Sequence, residues 1–277
     1  VGAGPAGLTA AFYLVRLGHD VTVYDAMPEA GGILRYGIPQ YRLPKELLQK
    51  EIKLIRRLGV QFKMNRRLGR NLLPEELKKE SDALFLAIGA WKDTALHIPG
   101  ENAKGVFAGS EILKEVAMGR IPQTGQRVVI VGAGNVAIDA ARSLLRLGKE
   151  VTIVYRREKR DMPANAVEIS EAEEERIKFR FLAAPHEIVT GSAGVVRALR
   201  IEKMKPGSID RSGRRNPVST GLFEDIPCDT LILAIGEQVS SEELAGRVSL
   251  TRDGRIAVDR FTFRTSDPVI YAGGDVV

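Results

Sequence analysis

The chain has 277 residues, 44% hydrophobic and 27% charged, with a net charge of +6 and one cysteine. These values describe a soluble globular protein with a full core, and they exclude an internal disulfide framework, a CxxC redox pair and a cysteine-ligated cluster within this chain. No apolar run approaches the about 20 residues that a membrane span requires, and His19, His97 and His186 are too far apart to suggest a metal site.

The first segment, VGAGPAGLTAAFYLVRLGHDVTVYD (Val1 to Asp25), reads as a strand end, a glycine-rich turn, a helix from near Pro5, an LG stop and a strand over Val21–Val23. Proline suits a first helical turn, and Gly18 sits where a left-handed cap is expected. Only the last residue of the strand before this turn is present, and GGDVV closes the chain abruptly, so the expectation is a fragment lacking both ends. Gly2 suits the tight turn, Gly4 lets a pyrophosphate approach the backbone, and Gly7 lets helix and strand pack closely. Asp25 follows Gly4 by 21 residues, the place of an acid that accepts ribose hydroxyls. A carboxylate there repels a 2′-phosphate, so this turn is expected to hold FAD or NAD.

Next comes a Pro/Gly-rich stretch, GGILRYGIPQYRLPKE (31–46), which by its residues alone is either ligand-facing or a plain connection. The basic run from Lys53 to Arg70 lacks interleaved aromatic residues, so it reads as a solvated helix face and loop, not a nucleic-acid patch. DALFLAIGA (82–90) is an apolar strand ending in Ile-Gly.

The segment VGAGNVAIDAARSLLRLGKEVTIVYRR (Val131 to Arg157) repeats the first at an offset of 130 residues, with Gly132, Gly134 and Ala137 in the glycine positions and Gly148 at the stop. Two copies in a strand–turn–helix–strand context are specific where one GxGxxG is weak. The second copy ends in Tyr155, Arg156 and Arg157 instead of an acid. A guanidinium binds a phosphate dianion through two parallel hydrogen bonds, so this tip is expected to hold the 2′-phosphate of NADPH. The alternative is a solvated basic turn paired with the acidic run 168–175, which suits Lys159 and Arg160 better than Arg156. DTLILAIGE (229–237) echoes 82–90, with Cys228 read as a small buried residue at its start. The last stretch, 254–277, reads as strand, connection, strand, then Gly273–Gly274–Asp275, where a carboxylate suits a polyol such as a flavin ribityl chain.

In this order the pieces resemble flavin oxidoreductases of α/β class with two Rossmann-like dinucleotide-binding domains, the NAD(P)H domain inserted into a split FAD domain. The expected division is 1–95 and 229–277 for FAD and 96–228 for NAD(P)H. The stretches 31–46 and YRREKRDMPA (155–164) are similar to the glutamate synthase small (beta) subunit family, which includes the flavin part of dihydropyrimidine dehydrogenase. The resemblance implies that Gly2, Ala3, Gly4, Pro5, Ala6, Gly7, Asp25, Gly32, Leu34, Arg42, Leu68 and Asp275 line the FAD site. It implies that Ala133, Gly134, Asn135, Val136, Arg156, Arg157, Ala234, Ile235 and Gly236 line the NADPH site, with NADH also possible. Two positions depart from the family: Asp25 where Glu is common, and Asn135 where Asp is often found.

The reaction so implied is hydride transfer from NADPH to N5 of FAD, which needs no general acid or base, and then electron transfer to an accepting subunit or domain. Clusters of the 4Fe–4S type are expected in an N-terminal segment before Val1 or in a partner, none in this chain. The implied location is cytoplasmic. The alternatives are a stand-alone NAD(P)H-dependent flavin reductase of a small acceptor, or a non-catalytic FAD-binding subunit.

Overall fold

The computed structural model describes residues 1–210, 213–240, 244 and 246–277. In chain order the first elements are α1 (Pro5–Arg16), β1 (Thr22–Tyr24), α2 (Ile33–Tyr36), α3 (Lys45–Arg57), β2 (Gln61–Lys63), α4 (Pro74–Glu80), β3 (Leu84–Leu86) and β4 (Lys92–Asp93). There follow β5 (Val106–Ala108), α5 (Gly109–Ala117), β6 (Arg127–Val131), α6 (Asn135–Arg146), β7 (Glu150–Val154), α7 (Ala166–Glu174), β8 (Lys178–Arg180), β9 (Ala183–Thr190), β10 (Val196–Ile209), β11 (Arg215–Pro227) and β12 (Thr230–Leu233). The chain then returns through β13 (Glu237–Gln238) and β14 (Ile270–Ala272).

These elements form two units, one made of Val1–Lys92 and Glu237–Val277, the other of Asp93–Gly236. The α/β architecture with one dinucleotide-type unit inserted into another is as expected. The boundaries differ: 92/93 replaces 95/96, and 236/237 replaces 228/229. The reason is β12, which pairs in parallel between β5 and β6 inside the second unit's sheet.

In the first unit, β1 pairs in parallel with β2, and β14 with β3. Val1 and Gly2 join the two pairs: Gly2 N–H donates to Tyr24 O at 2.7 Å and Ala87 N–H to Val1 O at 2.8 Å. Helices α1 and α3 cover this sheet through Leu8, Ala11, Leu48, Ile52 and Ile55, packed with Ala3, Val23 and Val60. A second cluster joins Leu84 and Leu86 to Ile270, Ala272 and Val276 across the two parts of the split chain. The apolar run at 256–258 is not a strand; Ile256 makes an isolated bridge to Leu250.

The second unit has a parallel sheet of order β5-β12-β6-β7-β8. Its strand residues alternate between two cores, as the two-residue period of a strand requires. Val128, Ile130, Val151 and Ile153 meet the helices through Ile112, Ile138 and Leu144. Val129, Val131, Val154 and Leu231 meet the antiparallel sheet β11-β10-β9 through Ile188, Leu199 and Ile201. That antiparallel sheet of β9, β10 and β11 has no counterpart in the sequence-based expectations.

Both copies of the repeat stop their helix alike. Gly18 has φ 91° and Gly148 φ 79°. His19 N–H donates to Leu14 O at 3.2 Å and Lys149 N–H to Leu144 O at 3.1 Å, the bond that closes a Schellman cap.

Candidate functional site

Each unit carries one glycine-rich turn, and within a turn the glycines answer to different demands. Gly2 has φ +105°, and a Cβ there would lie 2.2 Å from the Ala87 carbonyl oxygen. Gly132 has φ +131°, and its Cβ would lie 2.0 Å from the Ala234 carbonyl oxygen. The protein's own backbone therefore requires both. A Cβ on Gly7 would sit 1.9 Å from Gly2 O; the second copy tolerates Ala137, fully buried, at that place.

Gly4 and Gly134 are different. Their backbones are extended (φ −80°, ψ −175° and φ −83°, ψ 179°), as any residue can be. A Cβ on Gly134 would meet nothing within 4 Å, and one on Gly4 would meet Gly32 Cα at an ordinary 3.8 Å. Internal packing does not account for these two glycines. Glycine at such a position is what a group approaching the backbone from outside would require. Neither α1 nor α6 has a side-chain N-cap, so the N–H groups of both first turns are left for such a group.

The first turn gathers its surroundings from distant stretches. Asp25 follows β1, and its Oδ2 accepts Ala3 N–H at 2.6 Å while Oδ1 accepts Met27 N–H at 2.7 Å. Burial holds the carboxyl's pKa above its ordinary value, and these two amides offset only part of that rise. Gly31 N–H donates to Ala3 O at 2.8 Å, and a Cβ on Gly32 would lie 2.6 Å from Gly4 Cα. From the far end of the chain, a Cβ on Gly274 would lie 2.8 Å from Ala6 Cβ, which sets exposed Asp275 beside the start of α1. Gly2 to Gly7, Asp25, Gly32 and Asp275 thus come together. Leu34, half-buried, follows Gly32 in α2, and Arg42 is half-buried between α2 and α3. Leu68 is 4% exposed and packs in the core with Leu72 and Leu77.

Two residues that shape the 31–46 stretch escaped the sequence reading. Lys45 Nζ donates to Leu34 O at 2.7 Å and to Ile38 O. Arg35 donates from Nε to Ala30 O at 2.7 Å and from Nη2 to Gln49 Oε1 at 2.6 Å. A cation whose task is to bind its own loop's carbonyls leaves no pattern in the sequence.

At the second turn, the Ala133 carbonyl accepts Ala164 N–H at 3.2 Å and Asn135 Oδ1 accepts Asn165 N–H at 3.0 Å. An aspartate could accept the same bond, so Asn135 keeps the geometry and omits a charge that would repel phosphate. A Cβ on Gly109 would lie 2.9 Å from Val136 and 3.0 Å from the Ala234 side chain. The start of α5 therefore joins Val136 to Ala234, and Ile235 and Gly236 follow, both exposed.

The basic tip after β7 separates into distinct roles. Lys159 pairs with Glu173 at 2.7 Å and Arg160 with Glu158 at 2.5 Å. Arg156 is exposed, and among the described residues its side chain has no hydrogen-bond or ion-pair partner. Arg157 is 7% exposed and pairs with Asp210 at 2.8 Å. The sequence reading treated the two arginines alike; the structure buries one and presents the other. Among the described residues no group of His, Cys, Asp and Glu could hold a metal ion, and no helix is long and apolar enough to cross a membrane.

Two units of this kind, each with a glycine-rich turn between a parallel strand and an uncapped helix, define a two-dinucleotide oxidoreductase fold. The chain belongs to the pyridine nucleotide-disulphide oxidoreductase family, which it matches over residues 1–277. It is 41% identical, over its full length, to the NADP(+)-dependent formate dehydrogenase subunit beta of Moorella thermoacetica, and spans 40% of that protein. It is 34% identical, again over its full length, to the glutamate synthase [NADPH] small chain of Escherichia coli (strain K12), of which it spans 62%. The likeness read from 31–46 and 155–164 thus extends over the whole chain. In fold it is similar to Mycobacterium tuberculosis FprA, solved in complex with NADPH, with a TM-score of 0.81 at 21% identity, covering 99% of this chain and 77% of that one.

Proposed function

We propose that this chain is the dinucleotide-binding part of an electron-input oxidoreductase, with FAD at the first turn and NADPH at the second. The observation that carries this reading is the contrast between two equivalent positions. After β1 stands Asp25, an acid held by two backbone amides. After β7 stands Arg156, exposed and without a partner among the described residues. The acid suits a ribose with free hydroxyls and the guanidinium suits a ribose that carries a phosphate.

Gly4 and Gly134 admit the two pyrophosphates, and the first turns of α1 and α6 offer N–H groups and a positive dipole end. Asp25 would accept the adenosine hydroxyls of the first nucleotide, and Asp275 would accept hydroxyls of a ribityl chain. Leu34, Arg42 and Leu68 belong to the same site as wall residues, Leu68 from within the core. Ala133 to Val136 and Ala234 to Gly236 line the second turn. When both nucleotides are bound, the nicotinamide supplies a hydride that the flavin accepts. The chain's residues serve by position and electrostatics, and none is needed as an acid or base.

Electrons then leave by a route outside these residues. Cys228 is the one cysteine of the chain and is buried, so it has no partner within the chain for a redox disulfide. The reading is that an iron–sulfur segment or a partner subunit takes them; relatives carry the names "subunit beta" and "small chain". A cytoplasmic location goes with this reading.

The test is an anaerobic titration of the FAD-loaded protein with NADPH and NADH in parallel, following flavin absorbance. Bleaching is expected at much lower NADPH than NADH concentration. Bleaching by NADH alone removes the phosphate assignment, and no bleaching by either favours a non-catalytic FAD-binding subunit.

A further inference from the structure

In the first unit, the segment before β14 folds back along the end of that strand. Ala272 N–H donates to Phe263 O at 3.0 Å, and Ile256 N–H donates to Val276 O at 2.8 Å. These two bonds bracket Gly273–Asp275 on one side and the turn 259–262 on the other. The turn itself is closely tied. Asp259 N–H donates to Arg264 O and Phe263 N–H to Asp259 O, each at 2.9 Å. Asp259 Oδ1 accepts Phe261 N–H at 3.1 Å, and Thr262 N–H and the Thr262 hydroxyl at 2.8 Å each. Phe263 lies in the left-handed region, φ 56°, which a bulky residue adopts only where its surroundings enforce it.

On this turn Phe261 is 92% exposed and Phe263 48% exposed. Single apolar residues on a surface are common, but this ring stands on a backbone that is already ordered, so a partner would cover it without the cost of ordering a loop. The available charges of the turn are of one sign. Arg260 and Arg264 are exposed, Arg264 Nε donates to Pro268 O at 3.1 Å, and neither has a carboxylate partner among the described residues. The acids of this stretch are engaged, Asp259 within the turn and Asp267 by Lys78 at 2.5 Å. An exposed aromatic ring beside arginines is the composition that concentrates binding energy at interfaces. A second copy of the chain, meeting this patch about a two-fold axis, would set arginines against arginines; an acidic surface would not. One turn is also a small area, the size class of weak electron-transfer encounters. Its place fits that class. If Asp25 marks the adenosine end of the first nucleotide and Asp275 its ribityl chain, the flavin end lies on the side of the unit that this turn flanks.

We propose that the turn 259–264 is the docking surface for an acidic iron–sulfur protein, with Phe261 as the apolar anchor and Arg260 and Arg264 as steering charges. This inference rests on the reading of the chain as an electron-input module with FAD at the first turn. Two oxidised carriers, docking one after the other, take one electron each of the pair that a hydride brings, and the protons pass to water.

The experiment is calorimetric titration of the FAD-loaded full chain with an oxidised plant-type ferredoxin, an acidic [2Fe–2S] protein, at low and at high salt. The parent is expected to bind at low salt and to weaken at least tenfold at high salt. Phe261→Ser is expected to weaken binding about tenfold at low salt. Arg260→Glu is expected to weaken it by a similar factor and to flatten the salt dependence. Both variants should keep the parent's melting curve and flavin complement, because the two side chains project from the turn. A parent that binds no ferredoxin, or an unchanged affinity in Phe261→Ser, overturns the inference. Self-association of the parent that Phe261→Ser abolishes overturns it in favour of a second copy, and loss of flavin from Phe261→Ser overturns it by placing the ring in the cofactor site. Titration with NADPH, followed by flavin absorbance, separates the two levels. Bleaching of a parent that binds no ferredoxin leaves the electron-input reading standing, whereas no bleaching removes that reading and the inference with it.

Discussion

Arg156 and Arg157 are neighbours with the same chemistry and opposite situations. Exposed Arg156 has no partner among the described residues, while buried Arg157 is held by Asp210. Arg156→Glu is expected to weaken NADPH by about one to two orders of magnitude, the loss of charge-assisted bonds plus a repulsion, and to change NADH little. Equal losses in parallel titrations with the two nucleotides would return Arg156 to the role of a solvated turn residue. Cys228 supplies a second test at this scale. Its thiol ordinarily titrates near 9.0, and burial pushes it up to about 11. With the folded pKa above the unfolded one, the folded state keeps its proton where the unfolded chain releases it. This contribution to stability is complete below pH 9 and fades as pH rises towards about 11, by about 2 kcal/mol. Urea melts of the parent and of Cys228→Val from pH 8 to 11 should show a steeper decline in the parent. Parallel declines would deny the shift.

Among the elements, the two glycine-rich turns allow the demands of folding and of binding to be separated by a single methyl group. Gly132→Ala places a Cβ 2.0 Å from the Ala234 carbonyl oxygen at φ +131°, so the junction of β6 and β12 must shift. A loss of about 3 kcal/mol or more is expected, read as a lower melting midpoint. Gly134→Ala meets nothing within 4 Å and should melt like the parent, yet bind NADPH at least tenfold more weakly because its methyl stands where the pyrophosphate approaches. An unaltered affinity in Gly134→Ala would mean that no group comes close to that backbone. The echo of 82–90 in 229–237 is explained at the same scale. The Ala87 carbonyl faces Gly2 and the Ala234 carbonyl faces Gly132, so in each unit the strand end passes close against the glycine-rich turn.

Over the whole molecule, the units differ in how the chain builds them. Asp93–Gly236 is continuous and holds two cores of its own, on opposite faces of one sheet. Val1–Lys92 needs the return of the chain: β3 pairs with β14, and Leu84 and Leu86 pack against Ile270 and Ala272. Residues 93–236 expressed alone should therefore melt cooperatively and bind 2′,5′-ADP. Residues 1–92 alone should not fold, since half of that core is missing. A cooperative melt of 1–92 would show that the returning segment adds stability without being required.

Local chemistry made much of this legible in the sequence. The paired turns, the Pro5 helix start, the caps at Gly18 and Gly148, and the acid–base contrast between Asp25 and Arg156 depend on residues at most about 25 apart, where spacing alone sets geometry. The class of fold follows from their repetition. Tertiary structure decided what distant segments bring to each other. β12 joined the second unit because its apolar strand fits between β5 and β6, and Arg157 turned inward because Asp210, on a hairpin that no periodicity announced, neutralises a buried charge. Lys45 took up the carbonyls of its own loop, and Leu68 went to the core. Ion pairs and crossings of this kind join positions whose separation carries no signal, so they exist only once the chain has folded.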